Sequence, residues 1–273
     1  MTGTALKNNR KLFATDLDGT ILNDEKIITP KTMQALMDFN SAGNIFAICT
    51  GRDLNSARSV YDGLGVNLKG SFVMAYNGGV IYDVDNSEIV YRIGIDIEMA
   101  HEIFGLAAEY GIHVHTYNDD FILTTAYNEC IEFYRKVIKT PLIVADDISR
   151  FMTVPPAKII CIELHDHDKQ QRFKEMIEER YGDYLSLMYS NDYYLELIPK
   201  ESGKGNALLR LAEHLDISKE NTIAAGDAEN DASMIAAAGL GIAMINGDEQ
   251  AKNAANVITE TDNNHDGLAP FIR

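Results

Sequence analysis

The residues best suited to chemistry are Asp16 and Asp18, in the stretch LFATDLDGTIL. Two carboxylates one residue apart close an apolar run, just before a Gly-Thr turn. Two unit charges about 4 Å apart repel by roughly 4 kcal/mol at an effective dielectric near 20, so something must offset them. A second acidic group, GDAENDASMI, carries Asp227, Asn230 and Asp231 after the apolar run TIAA. Four aspartates at strand ends, with no His or Cys among them, make an all-oxygen set that suits a hard cation. Magnesium, held by a few carboxylates and completed by water and a substrate phosphate, fits better than calcium, which takes a fuller cage. On this reading a divalent ion lets Asp16 and Asp18 stand together.

Phosphate recognition also needs donors. Thr50 and Gly51, in CTGR, offer a hydroxyl and backbone N–H groups at a helix start, a ready anion site. Lys204, in ESGKGNAL, opens a predicted helix and can supply a point charge. Gly203-Lys204-Gly205 is not a P-loop, because Ile198 stands where its first glycine belongs and Gly205 where Ser or Thr must follow the lysine.

The elements that must position these residues alternate. KLFATDL, NIFAICT and SFVMAYNGG read as buried strands, and DLNSARSVYDGL as a helix between the last two. ILNDEKIIT reads as a hairpin. Thr29 and Pro30 supply an N-cap and a first-turn proline for a helix running to about Ala42, with Gly43 at its end. This spacing implies right-handed crossovers and a doubly wound, parallel, Rossmann-like α/β sheet. From about Asp83 the rhythm changes to paired strands mixed with helices, the pattern of an inserted α+β cap. Helices are expected in DIEMAHEIFGLAAEYG, NECIEFYRKVI and DKQQRFKEMIEERYG, and strands in IHVHTYNDDFILTT, AKIICIEL, LSLMYS and YYLELI. After Pro199 the alternation resumes with GKGNALLRLAEHL, NTIAAGD, ENDASMIAAAG and LGIAMI. The expected division is a core of residues 1–83 and 200–273 and a cap of residues 84–199. In such sheets the ligand site lies beyond the carboxyl ends of the strands. There the sequence puts Asp16 and Asp18, then Thr50, Gly51 and Arg52, then Asn77 and Gly78, then Gly226, Asp227, Asn230 and Asp231.

Composition sets the frame. The 273 residues are 46% hydrophobic and 24% charged, enough apolar mass for a globular core. The net charge of −17 argues against nucleic acid as partner, since a polyanion needs a basic stripe. No run approaches the ~20 apolar residues that span a bilayer, and MTGTALKNNRK lacks the apolar core of a secretory signal, so a cytoplasmic protein is expected. Cys49, Cys130 and Cys161 form no C-x-x-C pair, which speaks against a disulfide framework or a zinc site. His113 and His115 share one face of a predicted strand, where packing explains them better than a metal does. His165 and His167 flank Asp166 at a helix start and read as solvated.

With these residues in hand the chain resembles the haloacid dehalogenase-like (HAD) phosphohydrolases. DLDGT is similar to their first motif, CTGR to the second, Lys204 to the third and GDAENDASMI to the fourth. The YNGG turn and the insertion resemble the Cof-type sugar-phosphatase-like branch, which has a large α+β cap. The resemblance implies that Asp16 is a nucleophile forming an aspartyl-phosphate, and that Asp18 is the acid and base. It implies magnesium on Asp16, Asp18, Asp227 and the Leu17 backbone carbonyl. It further implies Thr50, Gly51, Lys204 and Asn230 on the phosphoryl oxygens, with Asp231, Arg52 and Asn77 in support. Spacing alone does not say which aspartate attacks. Ala228, Ala232-Ser233 and the longer AMINGD turn depart from the family pattern only in loop shape.

The function expected is magnesium-dependent hydrolysis of small phosphomonoesters, sugar phosphates or related metabolites. The alternatives are a phosphomutase using the same aspartyl-phosphate, or a non-catalytic phospho-accepting or binding module. A receiver module is shorter, carries its acceptor on the third strand and needs no cap. The cap is expected to set specificity, with His113, His115 and Tyr117 on a face that reads the organic part of the substrate.

Overall fold

Short apolar runs become strands and the amphipathic runs between them helices in the computed structural model, which describes residues 10–65 and 68–273. Residues 1–9, where no secretory leader was expected, lie outside the described residues. The chain begins β1 (Leu12–Thr15), α1 (Pro30–Ser41), β2 (Ile45–Cys49), α2 (Leu54–Gly63), β3 (Phe72–Ala75), β4 (Val80–Asp83) and β5 (Glu88–Arg92). It continues α3 (Ile97–Tyr110), β6 (His113–Tyr117), β7 (Ile122–Thr124), α4 (Glu129–Tyr134), β8 (Leu142–Val144), β9 (Ile159–Ile162), α5 (His167–Tyr181), β10 (Leu185–Tyr189) and β11 (Tyr194–Pro199). The last part is α6 (Lys204–His214), β12 (Thr222–Gly226), α7 (Ala232–Ala237), β13 (Leu240–Ala243), α8 (Glu249–Ala254) and β14 (Val257–Ile258). Two compact units emerge. The first holds the chain up to Gly51, Ser59–Val90 and Gly203–Arg273; the second holds Arg52–Arg58 and Tyr91–Ser202.

The first unit is built on a sheet of order β14-β13-β12-β1-β2-β3-β4-β5. Six neighbours, β14 to β3, run parallel, and β4 turns back antiparallel on β3. This is the doubly wound α/β sheet that the alternation predicts. LFAT, IFAIC and TIAAG are buried along their whole length, as strands covered on both faces must be. At the centre β1 lies between β2 and β12, so residues more than two hundred positions apart pair side by side.

The second unit carries a sheet of order β10-β11-β9-β6-β7-β8, antiparallel except between β7 and β8. Side chains alternate across it. Val114, Leu123, Ile159, Cys161, Leu195 and Leu197 join Ile103 and Phe104 of α3 and Phe173 and Ile177 of α5 in one core. His113, His115 and Tyr117, at the alternate positions of β6, are buried as well. The His115 ring lies 4.4 Å from that of Tyr134 in α4, and the Tyr117 and Tyr134 hydroxyls are hydrogen-bonded. Lys158 Nζ donates to both carboxylate oxygens of Glu196 at 3.2 Å, a buried ion pair.

Three expected elements come out differently. ILNDEKIIT forms a turn without flanking strands: the Asn23 N–H donates to the Ile27 carbonyl at 2.9 Å, and the Asn23 side chain accepts the Ile27 N–H at 3.1 Å. NECIEFYRKVI is helical only to Tyr134, after which the chain closes in turns, with the Lys136 N–H on the Phe133 carbonyl and the Val137 N–H on the Tyr134 carbonyl. ENDASMIAAAG opens with a 3₁₀ turn over Glu229–Asp231 before α7 begins. Among the described residues no helix is long and apolar enough to cross a membrane.

Candidate active site

The parallel register sets the site. Thr15 of β1 lies opposite Ala225 of β12, and the Asp16 N–H donates to the Ala225 carbonyl at 3.0 Å. Asp16 therefore leaves β1 at the level where Gly226 and Asp227 leave β12. Helix α6 begins at Lys204, and a Cβ on Gly205 would stand 2.5 Å from the Ser233 carbonyl oxygen, so only glycine lets α6 seat against α7 this closely. The lysine side chain runs inward, where Nζ donates to Asp16 Oδ1 at 2.6 Å and to Asp231 Oδ1 at 2.5 Å.

Asp231 is wholly buried, and a Cβ on Gly226 would overlap it at 2.3 Å. Its Oδ2 accepts the N–H groups of Asp227 and Ala228 at 3.1 and 3.0 Å. Both of its oxygens are thus committed to protein donors, and it acts as a bracket for the loop after β12. Asp227 accepts from Thr20 Oγ1 at 2.5 Å, while the chain at Gly19 (φ +79) passes so near that a Cβ would lie 2.6 Å from Asp227 Oδ2. The Asn246 amide donates to the Gly19 carbonyl at 2.8 Å. Asp16, Asp227 and Asp231 each present an oxygen within 4.8 Å of the others.

Asp18 is not in that group. It accepts from Lys26 Nζ at 2.8 Å, in a pair open to solvent. The Leu17 carbonyl accepts the Leu22 N–H at 2.9 Å. Thr50 is buried at the end of β2, and its N–H donates to the Met74 carbonyl. Asn77 is buried beside Gly51 and accepts from the exposed Asn230 amide at 3.2 Å. Arg52 is the first residue of the segment that belongs to the second unit. Neither Thr20 nor Lys26 was singled out from the sequence. Thr20 stands within DLDGT itself, a signal the sequence offers, whereas Lys26 sits in an irregular turn with no periodic signal.

Burial dominates the electrostatics. It pushes Asp16 up to about 7, against the pull of Lys204 and with the help of Asp231, and it raises Asp227 too. Burial also opposes the charge on Lys204, but Asp16 and Asp231 outweigh it and hold the ammonium above the ordinary lysine value. Beneath them, burial lifts the Cys49 thiol to about 12, so this cysteine stays neutral. The cluster has more carboxylates than its one buried cation can balance. It can accept further positive charge, and the donors are hard oxygens.

The model of the haloacid dehalogenase-like hydrolases matches residues 13–272, and the chain belongs to that family. A candidate phosphatase of Streptococcus pyogenes serotype M6 is 31% identical, with 96% of this chain and 97% of that protein covered. The 5-amino-6-(5-phospho-D-ribitylamino)uracil phosphatase YwtE of Bacillus subtilis is 29% identical, with 96% of each covered. A solved haloacid dehalogenase-like hydrolase of Bacteroides thetaiotaomicron superposes with a TM-score of 0.85 at 29% identity, over 96% of this chain and 98% of that one. The chain is an enzyme of the phosphatase type.

Proposed function

We propose that the chain hydrolyses small phosphomonoesters, sugar phosphates or related metabolites, with magnesium and through a phosphoryl group carried on Asp16. The observation that carries this reading is the Lys204 bridge between Asp16 and Asp231 beside Asp227, a carboxylate cluster with room for positive charge. The fit to a divalent cation rests on the all-oxygen donors and on the upward pressure that burial puts on Asp16 and Asp227. Asp16, Asp227, Asp18 and the Leu17 carbonyl are the groups proposed to hold it. The bound ion would mask charge on the phosphoryl oxygens.

An Asp16 carboxylate oxygen attacks phosphorus as the bond to the leaving oxygen breaks, and the Asp18 carboxyl gives that oxygen its proton. Asp18, now a carboxylate, takes a proton from water. The water oxygen attacks phosphorus, the bond to Asp16 breaks and inorganic phosphate leaves. Thr50, Gly51, Lys204 and Asn230 hold the phosphoryl oxygens meanwhile. We assign the organic part of the substrate to the second unit, the proposed cap, because the strand-end residues of the first are committed to the phosphoryl group, the cation or each other. His113, His115 and Tyr117 are candidates only in so far as their buried face is opened by substrate. Three free cysteines suit a cytoplasmic setting. The test is a screen of phosphomonoesters for phosphate release with magnesium and with excess chelator. Undiminished release in chelator would refute the metal reading.

A further inference from the structure

The turn Asn23–Ile27 after β1 is exposed, yet its backbone is fixed from several sides. Leu22 and Ile28, at its two ends, are buried. Within it the Lys26 N–H donates to the Asn23 carbonyl at 2.9 Å. The C-terminal segment holds it from outside. The amide of buried Asn263 donates to the Leu22 carbonyl at 2.9 Å, and the Asn264 side-chain oxygen accepts the Asp24 N–H at 3.1 Å. Lys26 itself has φ +62, in the left-handed region that glycine or asparagine enters more easily. Such a conformation persists where its surroundings fix it. A long cationic side chain kept at this cost points to a use for the ammonium.

The ammonium has a definite place. Although Asp24 and Glu25 precede it, Lys26 Nζ pairs with Asp18 Oδ1 at 2.8 Å. The two side chains are 63% and 40% exposed, so the pair adds little to folding and separates readily. Asp18 is the group assigned above to give the leaving oxygen its proton. An ammonium beside it therefore stands toward the leaving group, apart from the donors proposed for the phosphoryl oxygens. We propose that Lys26 is a specificity-determining residue, whose ammonium passes from Asp18 to a carboxylate on the organic part of the substrate. The chain would then favour phosphate esters of hydroxy acids over uncharged ones. This proposal rests on the role given to Asp18 in the function proposed above. A carboxylate is the partner chosen because Lys26 already holds one, and the exchange replaces it with the same chemistry. With the organic part of the substrate in place of water, the new pair is worth more than the open one. Lys26 is not a strand-end residue, so it is not committed as those are. In a chain of net charge −17, one placed cation must do what a basic surface cannot.

The experiment compares phenyl phosphate with para-carboxyphenyl phosphate in the full chain, with excess magnesium chloride, for the wild type, Lys26→Met and Lys26→Arg. The ratio of kcat/KM, carboxylated over plain ester, should fall about tenfold in Lys26→Met, chiefly through KM, and recover in Lys26→Arg. Any change that the substitution makes at Asp18 itself is common to both esters and cancels in the ratio. Calorimetry with phosphonopropionate and propylphosphonate, which are not hydrolysed, should show the same loss for the carboxylated ligand alone. An unchanged ratio in Lys26→Met would overturn the proposal, and so would equal losses for the two phosphonates. A Lys26→Met variant that only binds magnesium more tightly would also overturn it, by making Lys26 a stand-in for the cation. The parent reading fails separately, if the wild type turns over neither ester; the phosphonates then still decide the role of Lys26.

Discussion

Asp16 and Asp18, one residue apart, turn to different lysines: Lys204 Nζ lies 2.6 Å from Asp16, and Lys26 Nζ lies 2.8 Å from Asp18. The like charges are separated by direction, one inward and one toward solvent. The two ion pairs should therefore differ in worth. Removing Lys204 strands two enclosed carboxylates, so Lys204→Met should cost about 3–5 kcal/mol in urea unfolding at neutral pH. Lys26→Met breaks an open pair and should cost less than about 1 kcal/mol. Equal losses would mean that the burial of Lys204 is not what makes its pair matter.

Asp16→Asn should abolish turnover of an aryl phosphate while leaving the thermal midpoint near that of the wild type. Asp18→Asn should instead permit slow phosphoryl transfer and trap the phosphorylated enzyme, visible by mass spectrometry. Wild-type turnover in Asp16→Asn would exclude this residue as the nucleophile.

Binding of a cation to the native state alone raises stability with its concentration. The thermal midpoint should climb as magnesium chloride is added to the wild type and stay flat in Asp227→Asn. A parallel rise in both would locate the ion elsewhere.

Acid should weaken the second unit through its histidines. Burial lowers His113 from the ordinary 6.5 to about 4 and holds His115 well below its usual value, with His113 and Lys158 adding to the effect. Both native side chains are neutral, whereas in the unfolded chain they take up protons below about pH 6.5. Between those limits the unfolded state binds more protons, so stability is full above pH 6.5 and is lost as pH falls toward 4. His115→Leu should narrow this decline in a urea series from pH 7 to 4.5. An identical decline in that variant would assign the acid sensitivity to other groups.

Much of the site can be read from the sequence, because in a parallel sheet the strand ends converge. Once β1, β2, β3 and β12 are recognised as buried runs, the positions of Asp16, Thr50, Asn77 and Asp227 follow. Less visible is how the carboxylates divide their partners. Lys26 meets Asp18 only through an irregular turn stabilised by the Asn23 side chain, a local bond that leaves no periodic trace. The commitment of both Asp231 oxygens depends on the 3₁₀ turn that interrupts the expected helix. Alternation puts His113, His115 and Tyr117 on one face of β6, but only the packing of Tyr134 shows that this face is covered. Strands β4 and β5 lie on either side of the change of rhythm near Asp83, where the pattern of an inserted cap begins, so their place in the first sheet is not visible from alternation.

The pairing of β1 with β12 has a consequence for biosynthesis. A ribosome releases the N-terminal strand early, yet its partner on one side is not translated until some two hundred residues later. During that interval an apolar strand, Leu12–Thr15, is left with an open edge, the kind of surface that recruits other chains. Transcripts cut short before residue 222 should therefore yield polypeptides that are inactive and also prone to aggregate, since they lack Asp227, Asp231 and the strand that seals the centre of the sheet.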